Sequence, residues 1–263
     1  MNAIRYGSMA AALVLALAGA RPAQAAGADK ALPESINVGI FSVAPFVIGD
    51  ATGPHGLLIE FFDKEVAPRM GVRFNWTMPT TVARLEQNLI QGSVSFTPIL
   101  ARTPAREASR IVFAGDAYVR FEPCVVVLPD YPVNAINTPA DLAGMSIGWV
   151  KSGALPEFMR DPSIKLDLLA SVDWEKANLD KLRFGRIQGA YFSDQFTPRF
   201  YALQTGIRLK VLMLPTPGAQ LYGAFSPEAP ALLVERYQSA ARAAFANGRW
   251  EAFLNKALNV HGH

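Results

Sequence analysis

Among 263 residues there is one cysteine, Cys124, and there are three histidines, His55, His261 and His263. A lone cysteine excludes an intramolecular disulfide, and within the apolar run at 124–128 it reads as a small buried residue rather than a nucleophile. No histidine is matched to other ligating side chains at metal-site spacing, so no metal is expected. Charge is also sparse: 25 Lys and Arg oppose 22 Asp and Glu for a net charge of +3, and no basic cluster forms. That excludes the electrostatic footprint of a nucleic-acid binder. The chain lacks a P-loop, a G-x-S-x-G elbow and an S-x-x-K motif, so no cofactor is expected. Past the first 20 residues no apolar run reaches the roughly 20 residues of a membrane span.

The beginning of the sequence has the layout of an export signal. Arg5 provides a positive start, residues 9–20 (MAAALVLALAGA) are apolar, and Ala23-Gln24-Ala25 fits a small-x-small cleavage site. Residues 1–25 are therefore expected to be a leader, cleaved on passage to the periplasm. Cleavage leaves 238 residues with a net charge of +1, enough for one large domain or two lobes.

From residue 35 the apolar pattern alternates between strand and helix. Residues 36–42 and 72–77 read as strands, 57–70 as a helix stopped by Gly71, and 80–90 as a helix ended by Gly92. Such alternation predicts an α/β architecture of largely parallel sheets flanked by helices, with ligand beyond the carboxyl ends of the strands. One unit occurs twice. Residues 88–96 (NLIQGSVSF) and 181–192 (KLRFGRIQGAYF) each run helix end, glycine, strand, and Leu89 and Leu182 lie 93 residues apart. Two lobes follow, the first from residues 34–118 and 218–263, the second from 119–217. Pro129-Asp130-Tyr131-Pro132 and Pro215-Thr216-Pro217-Gly218 interrupt regular structure near the crossings. The first repeat continues through Thr97 towards Arg106, the second into Ser193 and Asp194, so opposite charges face one edge. Ser152-Gly153 precedes an expected helix through Met159, a place where backbone N–H groups can hold an anion.

The order of these pieces resembles the family 3 extracellular solute-binding proteins, the receptors of polar amino acid ABC transporters. Thr103-Pro104-Ala105-Arg106 with Phe113 and Tyr118 is similar to that family's T-P-E-R…D-F-S-x-P-Y segment. Val38-Gly39 with Pro45-Phe46, Leu142-Ala143-Gly144 with Ile147-Gly148, Gly189-Ala190 through Asp194, and Asn247-Gly248 support it. The resemblance implies a type 2 periplasmic binding fold whose two lobes close on a small polar ligand, an amino acid or related carboxylate, for an ABC permease. It implies a monomer without cofactor or catalysis. Arg106 is expected to hold the ligand's carboxylate as a bidentate fork and Asp194 its ammonium, with Ser152, Gly153, Thr97, Phe41 and Glu60 completing the site.

The sequence also departs from that pattern. Ile99 and Ala101 stand where the family offers a glycine and a hydroxyl, Val43 where it offers a stacking aromatic, and Leu58 where it offers a carboxylate. Other readings stay open: Arg106 pairing with Glu107 or Asp116, and Asp194 as an N-cap for residues 195–201. An enzyme on the same scaffold, similar to the periplasmic cyclohexadienyl dehydratases, would use Glu60 or Asp194 as acid or base. A third reading is an accessory receptor or sensor.

Overall fold

The computed structural model describes residues 32–260, which belong to one compact unit; the expected leader and the histidine tail lie outside them. Two five-stranded sheets form the frame. The first contains β1 (Ser35–Val38), β4 (Arg73–Trp76), β5 (Phe96–Ala101), β6 (Val112–Phe121) and β12 (Ala219–Phe225), in the order β4-β1-β5-β12-β6. The second contains β7 (Cys124–Val127), β8 (Ser146–Val150), β9 (Lys165–Leu169), β10 (Gly189–Phe192) and β11 (Lys210–Met213), in the order β9-β8-β10-β7-β11. A small hairpin, β2 (Ile48–Asp50) and β3 (Gly53–His55), stands apart.

The two sheets share one plan. In each, three strands pair in parallel, and a fourth runs antiparallel to both of its neighbours. The reversed strand, β12 or β7, is the one the chain enters immediately after changing sheets. Strand β6 stays paired with β12 through Phe121, past the boundary expected after Tyr118. The passages between sheets are therefore at Glu122-Pro123 and at residues 214–218, and the Leu214 N–H donates to the Pro123 carbonyl at 3.0 Å. Proline-rich passages of this kind leave few backbone donors to continue either sheet.

Helices cover the sheets where apolar spacing demands it. The expected helix over 57–70 is α1 (Leu57–Phe61), a π-helical turn (Phe62–Val66) and α2 (Ala67–Met70), closed by Gly71 at φ 73°. Pro68 has no N–H and its ring crowds the carbonyl four residues back, which accounts for the wider turn upstream. Helix α3 (Val82–Ile90) starts on Thr81, whose hydroxyl accepts from the Arg84 N–H, and buries Val82, Leu85 and Leu89. The remaining helices are α4 (Pro104–Ala108), α5 (Trp174–Arg183), α6 (Phe196–Thr205), α7 (Ala231–Phe245) and α8 (Arg249–Val260).

The repeat seen in the sequence is thus a structural one: α3 leads through Gly92 to β5, α5 through Gly185 to β10, and β5 and β10 hold the same place in their sheets. Phe46, Phe61, Phe96, Phe225 and Tyr237 anchor the first core, and Trp149, Trp174, Tyr191 and Phe192 the second. Each such buried ring contributes about 1.5–3 kcal/mol over exposure. Two residues join the cores: Val82 of α3 packs in the second cluster, and Phe41 touches both of these and a smaller third.

Candidate interlobe site

Arg106 is buried in α4, a short helix set up by Thr103, whose hydroxyl accepts from the Arg106 N–H, and by Pro104 in its first turn. Its guanidinium is already engaged. Nε and Nη2 both donate to Glu86 Oε1, at 3.1 and 2.7 Å, and Nη1 donates to the Ala101 carbonyl at 2.6 Å. Nη2 also reaches the Ser152 carbonyl of the second lobe at 3.3 Å. The alternative partners Glu107 and Asp116 are not used; Glu107 pairs with Arg102 instead. The fork that suits a carboxylate therefore holds the carboxylate of Glu86, on α3. Glu86 keeps 23% of its side chain exposed, so it has water to move into.

Ser152 meets Arg106 through its carbonyl, but Ser152-Gly153 is not an anion-holding helix start. Residues 154–156 form no helix, Pro156 being extended, and only a 3-10 turn (Glu157–Arg160) follows. The Gly153 N–H turns back to the Val150 carbonyl, and the Gly153 carbonyl accepts from the Trp149 indole at 3.3 Å. A Cβ at 153 would lie 2.6 Å from that indole, so glycine is what lets Trp149 close over the turn. Ser152 adopts φ 65°, and this aims its carbonyl at Arg106. Thr97, on β5, is buried, and its hydroxyl has no hydrogen-bond partner among the described residues. Phe41 is interlobe packing. Glu60 is separate from these residues: it is exposed and paired with Lys64 at 2.6 Å.

Asp194 is spent within its own loop. Oδ1 accepts from the Phe196 and Thr197 N–H groups at 2.8 and 2.7 Å, and Oδ2 lies 2.8 Å from the Thr197 hydroxyl. This is the N-capping arrangement, and both oxygens are buried. Burial pushes its pKa up to about 6, against the pull of the Thr197 and Phe196 donors. The Thr197 hydroxyl also contacts the Ala44 carbonyl of the first lobe. It has one proton for two acceptors, so protonating Oδ2 would satisfy both.

A second buried carboxyl, Glu175 on α5, is fully enclosed. Oε1 accepts from the Ala44 N–H at 3.1 Å, and Oε2 lies 3.2 Å from both the Ser42 and Tyr201 hydroxyls. Burial, and then the charge of Asp194, push its pKa up to about 8 although those groups favour the anion. The neighbouring Trp174 indole donates to the Ser42 carbonyl at 3.2 Å. Segment 42–44 of the first lobe is thus gripped by three residues of the second. Cys124 is buried beside the Asp194 carbonyl, and burial raises its thiol pKa, which leaves it inert.

Sequence reasoning missed Glu86 and Glu175, yet helical spacing carries a signal for both. Glu175, Asn178, Leu179 and Leu182 are the i, i+3, i+4, i+7 stripe of α5, and Glu86 stands four residues from Val82 on α3. A carboxylate on an apolar stripe is the anomaly to look for. Among the described residues no group of three His, Cys, Asp or Glu is placed for a metal, and no helix is long and apolar enough to cross a membrane.

No protein-family profile matches the sequence, and no curated protein matches it significantly. Solved structures do. A mutant of the arginine-binding protein ArgBP from T. maritima aligns at 21% identity and TM-score 0.69, over 85% of this chain and 94% of that one. An ancestral arginine-binding protein bound to arginine aligns at 19% identity and TM-score 0.70, over 85% and 98%. The periplasmic VFT2 domain of Bordetella pertussis BvgS aligns at 18% identity and TM-score 0.70, over 85% and 93%. With two sheets of one plan, two bonded crossings and these likenesses, the chain has the two-lobed α/β fold of periplasmic solute-binding proteins.

Proposed function

We propose that the protein captures a small polar ligand, an amino acid or a related carboxylate, between its lobes and delivers it to an ABC permease after export to the periplasm. The observation that carries this reading is the Arg106 guanidinium, which bonds Ser152 across the cleft while holding a carboxylate that has room to leave. Ligand carboxylate would replace Glu86 at the fork, exchanging one charge-assisted pair for another. Binding energy then comes from the ligand's other contacts, and the Thr97 hydroxyl is a ready donor for one. Hinge closure at the paired crossings excludes water and strengthens each polar contact.

Solved structures that share the fold include arginine-binding proteins and a substrate-binding protein of an amino acid ABC transporter, which supports the reading. The ammonium partner expected at Asp194 is replaced in this reading. Both its oxygens serve the α6 cap, so charge recognition rests on Arg106. Catalysis has less support: Glu60 is exposed and ion-paired, and Asp194 and Glu175 are sealed from a substrate. A thermal-shift screen of amino acids, organic acids and polyamines tests the reading. A stabilising ligand raises the melting temperature by mass action, and Arg106→Ala abolishes that rise. Stabilisation that survives Arg106→Ala would overturn the assignment.

A further inference from the structure

A groove of about 750 Å³, which shares no lining residue with the Arg106 cluster, has one wall from each lobe. The first lobe gives Pro45, Ile48 and Leu57, around the hairpin and the start of α1; the second gives Phe196, Phe200 and Leu203 of α6. With Arg199 these α6 residues sit at i, i+3, i+4 and i+7, one continuous face of the helix. That face runs from the core out to solvent: Phe196 packs edge-on against Phe46 of the first lobe, Phe200 is half-buried, and Leu203 is 77% exposed. An apolar stripe on the solvent side of a helix marks a surface made to be covered.

The charges within the groove indicate by what. Glu60 is neutralised by Lys64, and His55 stands near Asp50. Arg199 has no ion-pair or hydrogen-bond partner among the described residues, so the groove presents one uncompensated positive charge set into apolar walls. A cavity of this size with one convergent charged group has the dimensions of a small-molecule site. We propose that this groove binds an amphipathic monocarboxylate, its apolar body against Pro45, Ile48 and the α6 phenylalanines, its carboxylate on Arg199. Because both lobes build the walls, such a ligand bridges them from outside the cleft and holds them together. This site is independent of the polar ligand assigned to Arg106.

The test is calorimetric titration of the purified chain with octanoate and 4-phenylbutyrate, beside 4-phenylbutanol and 4-phenylbutylamine. Expected is one carboxylate per chain, bound at least tenfold more tightly than the alcohol, with no binding of the amine. Arg199→Gln should weaken binding at least tenfold and Leu203→Asp abolish it; both positions are exposed, so folding is not at stake. Arg106→Ala should leave it unchanged. Equal affinity for alcohol and carboxylate, or indifference to Arg199→Gln, overturns the proposal. So does loss on Arg106→Ala, which would put the carboxylate in the cleft, and so does a dimer in sedimentation that Leu203→Asp dissociates, which would make the groove an interface between copies.

Discussion

After the central strand of its sheet each lobe carries a threonine, a proline and then an arginine: Thr103-Pro104-Ala105-Arg106 in the first, Thr197-Pro198-Arg199 in the second. The two arginines have opposite surroundings. Arg106 is buried, with the carboxylate of Glu86 and carbonyls from both lobes on its guanidinium. Arg199 is exposed, on an apolar helix face, without an ion-pair or hydrogen-bond partner among the described residues. The preceding helices differ in the opposite sense: residues 82 and 175, again 93 apart, both press into the other lobe, but the first is valine and the second glutamate. One scaffold therefore yields a polar contact sealed inside and an apolar one left outside. What decides is whether the helix before the strand offers an acid to the arginine.

The largest effect that would break this contrast is Arg106→Ala. Removing a buried cation from its pair costs about 3–5 kcal/mol, and the partial exposure of Glu86 puts the expected loss near the lower end, read by urea unfolding together with loss of ligand-induced stabilisation. Next comes the pH dependence set by Glu175. Its folded pKa is raised above the unfolded value of 4.5, so the folded state binds the proton more tightly. The stability this contributes is full below pH 4.5 and is lost as pH rises to about 8. Asp194, raised to about 6 from 3.8, acts in the same direction below that pH. Glu175→Gln keeps the shape of the protonated acid and should flatten melting temperature between pH 6 and 8.

Glu86→Gln sharpens the comparison by weakening the resident competitor at Arg106. Carboxylate ligands of the cleft should bind roughly tenfold more tightly, equivalent to about 1.4 kcal/mol, by calorimetry. Smallest of all is Arg199→Gln, expected within about 0.5 kcal/mol of the parent in unfolding free energy and without effect on a cleft ligand. A larger change would show that Arg199 has a structural partner and is not the counterpart left free.

The frame was legible in the sequence because it rests on local signals. Gly92 and Gly185 stop two helices before two strands, and residues 215–218 break the chain where it returns. The site was less so, because its partners come from far along the chain. Nothing near Arg106 in sequence points to Glu86, twenty residues earlier, or to the Ser152 carbonyl. Ser152-Gly153 read as a helix start, but Pro156 and the closing of Trp149 over Gly153 keep residues 154–156 out of a helix. Asp194 showed both readings in sequence, and in the structure its oxygens take the cap. Glu60 was placed in the cleft by resemblance, whereas helix α1 turns it towards Lys64.

The strand order has a consequence for how the molecule is made. The second lobe is built from one unbroken stretch, β7 to β11, and has all its strands once residue 213 is available. The first cannot join β5 to β6 until β12 arrives, since that strand lies between them. During synthesis, which delivers the chain from its amino end, the later lobe in sequence is thus the earlier to be complete. The opening residues wait with an open sheet edge for the closing ones.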